Sequence, residues 1–227
     1  MSSAALESRL AQVDGSIADA ARSAGRDPGE ITRIVVTKFH PAALVRELFA
    51  LGVRDVAENR QQEFQAKHDE LTDLGDLRWH FVGQVQSKKA RAVRRAAGAV
   101  HSVDRDKLVA ALDVPDADPL DVLVQINLTD DPNRGGVREG DAPRLAETIA
   151  RTPSLRLRGV MAVAPLDEDP ARAFERLAGI AARVRGVVPD ASWISAGMSG
   201  DFAEAIAHGA THLRIGTAIT GPRPSQV

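Results

Sequence analysis

A lysine closes the first strongly apolar run of the chain, Ile31-Thr32-Arg33-Ile34-Val35-Val36-Thr37-Lys38. It shares side-chain parity with Ile34 and Val36, so in a strand all three face the same way. If that face is a packed interior, burial lowers the lysine pKa and frees an amine that can attack a carbonyl and form a Schiff base. The alternative is a strand-end lysine whose stem is covered while its charge stays in solvent. A second cation, Arg214, interrupts the last apolar run as Leu213-Arg214-Ile215. A guanidinium there must pair with an acidic side chain or face a polar ligand, because an unpaired buried charge is costly. Ser199-Gly200-Asp201 opens a short helical pattern with Ser199 as its expected N-cap, and Gly216-Thr217 sets backbone N–H groups beside a hydroxyl. Such pieces bind phosphate when a fold brings them together, although neither matches a Walker or Rossmann fingerprint.

Other features read as ordinary surface. Lys88, Lys89, Arg91, Arg94 and Arg95 share one helical pattern and are expected to form a solvated face. The stretch from Asp130 to Gly136 resembles a calcium loop in composition but lacks its alternating ligands and terminal Glu, which makes it a turn. The six His have no metal-ligand spacing, and Ser195-Ala196-Gly197 is not a nucleophile elbow. The 227 residues contain no Cys, which excludes disulfides, thiolate nucleophiles and thiolate metal sites, and no Tyr, which removes the phenol as an acid or base. A net charge of −2 argues against a nucleic-acid binder. No apolar run is long enough to span a membrane and the first ten residues lack a signal-peptide core, so the expected compartment is the cytoplasm.

These residues need a scaffold, and the pattern supplies one. Eight apolar runs read as strands: Ile31–Lys38, Arg54–Glu58, Arg78–Gly83, Ala99–Asp104, Asp121–Leu128, Leu155–Val163, Ser192–Gly197 and His212–Ala218. Each but the last is followed by a helical pattern, and Ser2–Ala24 reads as an extra helix in front. Strands alternating with helices imply parallel βαβ units, and eight of them fit a compact (β/α)8 TIM barrel spanning residues 1–227 as a single domain. A doubly wound open sheet is the other arrangement of such units. In a barrel the working residues lie at the carboxyl ends of the strands. That rule points to Lys38, to Glu58-Asn59, to His80 and Gly83, to Met161, to the stretch from Ser195 to Ser199, and to Arg214 with Gly216-Thr217.

Read together, the motifs resemble the pyridoxal phosphate homeostasis protein family. They are Val36-Thr37-Lys38 with Pro41, Glu58-Asn59 with Glu63, Trp79-His80-Phe81-Val82-Gly83 with Gln86 and Lys88, and His101-Ser102-Val103-Asp104. Further on come Gln125-Ile126-Asn127, Arg158-Gly159-Val160-Met161, Gly197-Met198-Ser199 with Asp201, and Arg214-Ile215-Gly216-Thr217-Ala218-Ile219 with Gly221. The resemblance implies a fold type III barrel, like the N-terminal domain of alanine racemase, holding pyridoxal 5'-phosphate (PLP). It makes Lys38 the Schiff-base lysine and puts Ser199, Gly216 and Thr217 at the phosphate, with Ser195 close by. Arg214 then faces the pyridine nitrogen, and Asn59, His80 and Met161 surround the ring. Three departures, Ala57 for the family's Gly, Arg60 for a frequent aromatic and Thr220 for a Phe, put the second-strand loop and the rim packing in question.

The resemblance leaves a choice between a carrier and an enzyme. Racemases of this fold pair a lysine with a tyrosine from a partner subunit, and the chain has no Tyr to offer. Its length is also expected to leave no room for the domain that delivers the tyrosine. The expected function is therefore PLP storage, delivery or buffering, with apo PLP-dependent enzymes as candidate recipients. No nucleic acid or membrane partner is expected, and the chain should be a monomer, or at most a weak dimer. The competing reading is a PLP-dependent racemase or lyase with a different second base, such as His80.

Overall fold

In the computed structural model, which describes residues 3–131 and 133–222, eight parallel strands close into a barrel in sequence order. They are β1 (Thr32–Val36), β2 (Asp55–Glu58), β3 (Arg78–Phe81), β4 (Ala99–Val103), β5 (Leu120–Gln125), β6 (Leu155–Met161), β7 (Trp193–Ser195) and β8 (His212–Ile215). Helix α1 (Ser3–Ser23) precedes the barrel. The crossovers carry α2 (Ala42–Ala50), α3 (Gln61–Glu70), α4 (Ala90–Ala96), α5 (Asp106–Leu112), α6 (Ala142–Ala150), α7 (Pro170–Val187) and α8 (Phe202–Ala207). Pairing of Thr32 with His212 through Val35 with Ile215 closes the ring, which settles the choice against an open sheet.

The strands form because their β-branched residues serve two faces. Val35, Val56, Val122, Val160 and Leu213 point outward into the apolar layer beneath the helices. There Phe64 of α3 sits edge-on to Trp79 and Phe81 of β3, with ring centroids 5.8 Å and 5.4 Å away. Alternate positions such as Ile34, Ala57, His80 and Arg214 turn inward. Gly159 is forced by the closeness of β6 and β7, since a Cβ there would lie 1.8 Å from the Trp193 carbonyl oxygen.

Helix α1 buries Leu6, Leu10, Val13, Ile17 and Ala21, a single stripe at helical spacing, within its own chain. Arg9 Nε donates to the Ile219 carbonyl at 2.7 Å, and Arg26 Nη1 reaches the carbonyls of Ile206 and Ala210 at 3.0 and 2.7 Å. The front helix thus clamps the end of the barrel to its start. Of the expected span Ser2–Ala24, Ser2 lies outside the described residues, as does Pro132 of the Asp130–Gly136 turn.

Strand β8 ends three residues before the expected Ala218. At Gly216 (φ −109, ψ −97) the chain leaves the extended region, and a ninth helix, α9 (Thr217–Thr220), follows. No helix among the described residues is long and apolar enough to cross a membrane.

Candidate functional site

At the carboxyl mouth of the barrel is a cavity of about 430 Å³. It gathers Lys38, Asn59, Met161, Ser199, Arg214, Gly216 and Thr217, with Gln125 also in its wall. That size falls within the roughly 300–1,000 Å³ typical of small-molecule sites. His80 and Ser195 do not line it. Both are fully buried in the barrel axis beneath it, where His80, expected around the ring, and Ser195, expected near the phosphate, make contacts with other side chains.

Lys38 stands two residues beyond the end of β1, in a turn, and is half-buried. The turn is held from behind by the motif residues Glu58 and Glu63 together with Lys67, which the sequence reading did not single out. Lys67 of α3, itself buried, donates to the Thr37 carbonyl at 2.9 Å, to Glu58 Oε1 at 2.6 Å and to Glu63 Oε1 at 2.9 Å. Glu63 Oε1 accepts the Phe39 N–H at 2.5 Å, and Glu58 Oε1 accepts the Thr37 hydroxyl at 2.7 Å. Both neighbours of Lys38 are therefore fixed, and Phe39 is kept at φ 69, a conformation costly for a side-chain-bearing residue. Arg60 lies 4.8 Å over the Phe39 ring, so the residue that departs from the family pattern packs on this turn.

Burial raises the Glu58 pKa, and Lys67 and Thr37 pull it back. Deleting one partner of such a buried pair costs about 3–5 kcal/mol, because the remaining charge loses its compensation. Lys67→Met should therefore lower unfolding free energy by about that amount in urea titrations, and Lys67→Met combined with Glu58→Gln should recover part of it. A loss under 1 kcal/mol would show that the clamp does not hold the turn.

Arg214 is buried, and its guanidinium donates through Nη1 to Ser195 Oγ and through Nη2 to the Ala162 carbonyl, both at 2.8 Å. No described carboxylate forms an ion pair with it. Burial lowers its pKa to about 10, partly offset by the charge of Asp201, so it remains a cation at neutral pH. Its bonds go to a hydroxyl and a carbonyl rather than to the acidic partner that one sequence reading offered, and it lines the cavity.

Ser199 is not the cap of α8. The helix starts at Phe202 and Asp201 takes the cap position, its carboxylate accepting the Met198 N–H at 2.6 Å. Ser199 instead lies exposed on the turn facing Gly216 and Thr217 across the cavity wall. The N–H groups of Ser199, Gly200, Gly216 and Thr217 make no backbone hydrogen bond to another described residue. Asn59 Oδ1 is buried and has no hydrogen-bond partner. The loop after β3 comes so close that a Cβ on Gly83 would sit 1.9 Å from the Asn59 carbonyl oxygen, which explains the glycine. The cavity thus offers an amine, a permanent cation, an orphaned amide oxygen and a group of free N–H donors. This set fits a phosphorylated aromatic aldehyde, in donor type and in size.

The basic run on α4 is only partly a solvated face. Lys88, Arg91 and Arg95 are exposed, whereas Arg94 donates to the carbonyls of Leu112, Ser154 and Asp118 and ties α4 to the loops below.

Residues 22–224 match the family described as alanine racemase, N-terminal domain. The pyridoxal phosphate homeostasis protein of Mycobacterium tuberculosis is 42% identical, over 94% of this chain and 91% of its own length. That of Escherichia coli K12 is 38% identical, over 94% of this chain and 95% of its own. Among solved structures, PipY of Synechococcus elongatus with PLP bound superposes with a TM-score of 0.79 at 33% identity, covering 95% of this chain and all of that one.

Proposed function

This chain belongs to the pyridoxal phosphate homeostasis protein family, and on that premise we propose that it holds PLP on Lys38 as a Schiff base and stores, delivers or buffers it in the cytoplasm. The observation that carries the proposal is the convergence of Lys38 and the carboxylate-free cation Arg214 on one cavity floored by unpaired N–H groups. Lys38 supplies the amine that condenses with the aldehyde, forming C=N and releasing water. Ser199, Gly216 and Thr217 hold the phosphate, Asn59 binds at the ring edge, and Met161 packs against the ring. PLP, when bound, supplies an electron sink whose strength depends on protonation of its pyridine nitrogen. Arg214 controls that protonation. A guanidinium donates hydrogen bonds but cannot accept one, so the nitrogen it faces stays unprotonated and carbanion chemistry is poorly supported.

Among the described residues that line the cavity, none besides Lys38 is placed to act as a second base for racemisation. The sequence has no Tyr. His80, the substitute considered above, has no exposure and both ring nitrogens engaged below the cavity. The protein is accordingly read as a monomeric carrier that passes PLP to apo-enzymes rather than an enzyme. In a transfer assay, the PLP-loaded protein should restore activity to an apo PLP-dependent enzyme, and deuterium exchange at the α-carbon of amino acids should not exceed that with free PLP. Racemisation or elimination above that background would favour the enzyme reading instead.

A further inference from the structure

The barrel axis below the cavity contains a continuous chain of polar side chains that the proposed binding chemistry does not use. Asp55 Oδ1 lies 2.9 Å from His80 Nε2, His80 Nδ1 lies 2.9 Å from His101 Nε2, and His101 Nδ1 lies 2.9 Å from Ser195 Oγ. Ser195 Oγ in turn accepts from Arg214 at 2.8 Å. Five side chains from five strands thus join a quarter-exposed carboxylate on β2 to the cation in the cavity wall. We propose that this is a one-way hydrogen-bond chain, with Asp55, His80, His101 and Ser195 acting as positioning residues that orient Arg214 toward the bound pyridine ring.

The direction follows from counting protons. Arg214 can only donate, so Ser195 Oγ accepts at that end and has one hydrogen to give, to His101 Nδ1. A neutral His101 must then carry its proton on Nε2 and donate to His80 Nδ1. A neutral His80 carries its proton on Nε2 and donates to Asp55, which as a carboxylate can only accept. Every link has one proton, and reversing any of them leaves two donors or two acceptors face to face.

The surroundings favour these protonation states. The charged and titratable groups facing the two rings are Asp55, Arg78, Asp121, His212 and Arg214. Burial lowers the pKa of His80 against the pull of Asp55, and lowers that of His101 well below the usual imidazole value, with the adjacent His80, Arg214, His212 and Arg78 acting in the same direction. Burial pushes the Asp55 carboxyl up, but its bond to His80 and the charge of Arg78 outweigh this and leave it ionised.

The link to the pyridine ring rests on the placement of Arg214 proposed above, so the test has one arm that needs no PLP. In nitrogen NMR of the ligand-free protein labelled at His, both His80 and His101 should be neutral at pH 7.5 and protonated on Nε2. Asp55→Leu removes the terminal acceptor and should move the His101 proton to Nδ1, whereas Asp55→Asn, whose amide oxygen still accepts, should leave it on Nε2. A charged ring, a wild-type His101 protonated on Nδ1, or a tautomer that ignores Asp55→Leu would overturn the chain. In the second arm, Ser195→Ala removes one of the two acceptors that fix Arg214 and should weaken PLP binding roughly tenfold, the worth of one charge-assisted bond. Unchanged PLP affinity in Ser195→Ala, with the tautomers as expected, would confirm the wire but refute its role in orienting Arg214. Loss of PLP binding to the unsubstituted protein would instead defeat the function proposed above while leaving the tautomer result standing.

Discussion

Replacing Lys38 with Ala is expected to abolish covalent retention of PLP and to weaken its equilibrium binding by about a hundredfold or more, with little change in the fold. The first effect follows from the loss of the amine in the cavity. The second follows because the other proposed contacts, N–H groups and hydroxyls at the phosphate with Arg214 and Asn59 at the ring, are each of modest net worth. The fold should tolerate the change because Lys38 is a half-buried turn residue whose neighbours, not its own side chain, carry the bonds to Lys67, Glu58 and Glu63. Surface-type substitutions of this kind are usually within about 0.5 kcal/mol of neutral. Equilibrium dialysis and unfolding of the ligand-free proteins separate the two effects. Retained affinity would show that the non-covalent contacts alone hold PLP in the cavity.

The second large effect is a loss of stability in mild acid. His80, His101 and His212 are all buried, and burial is the first cause that lowers each pKa, to about 3 for His212. In the unfolded chain these rings titrate near 6.5. Above that pH both states are neutral and the stability is fully present. Below it the unfolded chain takes up protons that the folded barrel refuses, so stability falls until the folded values are reached. Each ring contributes at most about 1.4 kcal/mol per pH unit, and only between the unfolded value and its own folded value, so the window is widest for His101 and His212, which burial lowers most. Against a total of about 5–15 kcal/mol for a folded domain, unfolding should set in within a few pH units. Urea titrations at pH 7.5, 6 and 5 measure this directly. A stability unchanged across that range would mean that the rings are charged, or exposed, in the folded protein.

The way the site is assembled explains why part of it was readable in advance. Lys38 and Arg214 stood out because each is a cation breaking an apolar run, and parallel strands buried on both faces leave such runs conspicuous. The eight runs and intervening helices prescribed the barrel for the same reason. Strand ends were less legible: Thr37 and Lys38 continue the apolar pattern of β1, yet the chain turns there because α3 supplies a lysine and a glutamate that capture its backbone. The i, i+4 pair Glu63 and Lys67 was the available signal, but such pairs are usually surface features. Ser199 looked like a helix cap because Ser-Gly commonly is one, but the helix starts later, with Asp201 at the N-cap position and its carboxylate turned back to the Met198 N–H. His80, His101, Ser195 and Arg214 stood out one by one, but their connection into an axial chain was not legible. Its five members are separated by up to 94 residues at a single link, and only closure of the ring makes them neighbours.

The central claim is that the Lys38 amine forms the bond to PLP. Incubating the protein with PLP, reducing with borohydride and mapping the peptides by mass spectrometry tests it most directly. The expected result is one reduced phosphopyridoxyl adduct, on the peptide containing Lys38. An adduct confined to another lysine, or none after saturation with PLP, would contradict it.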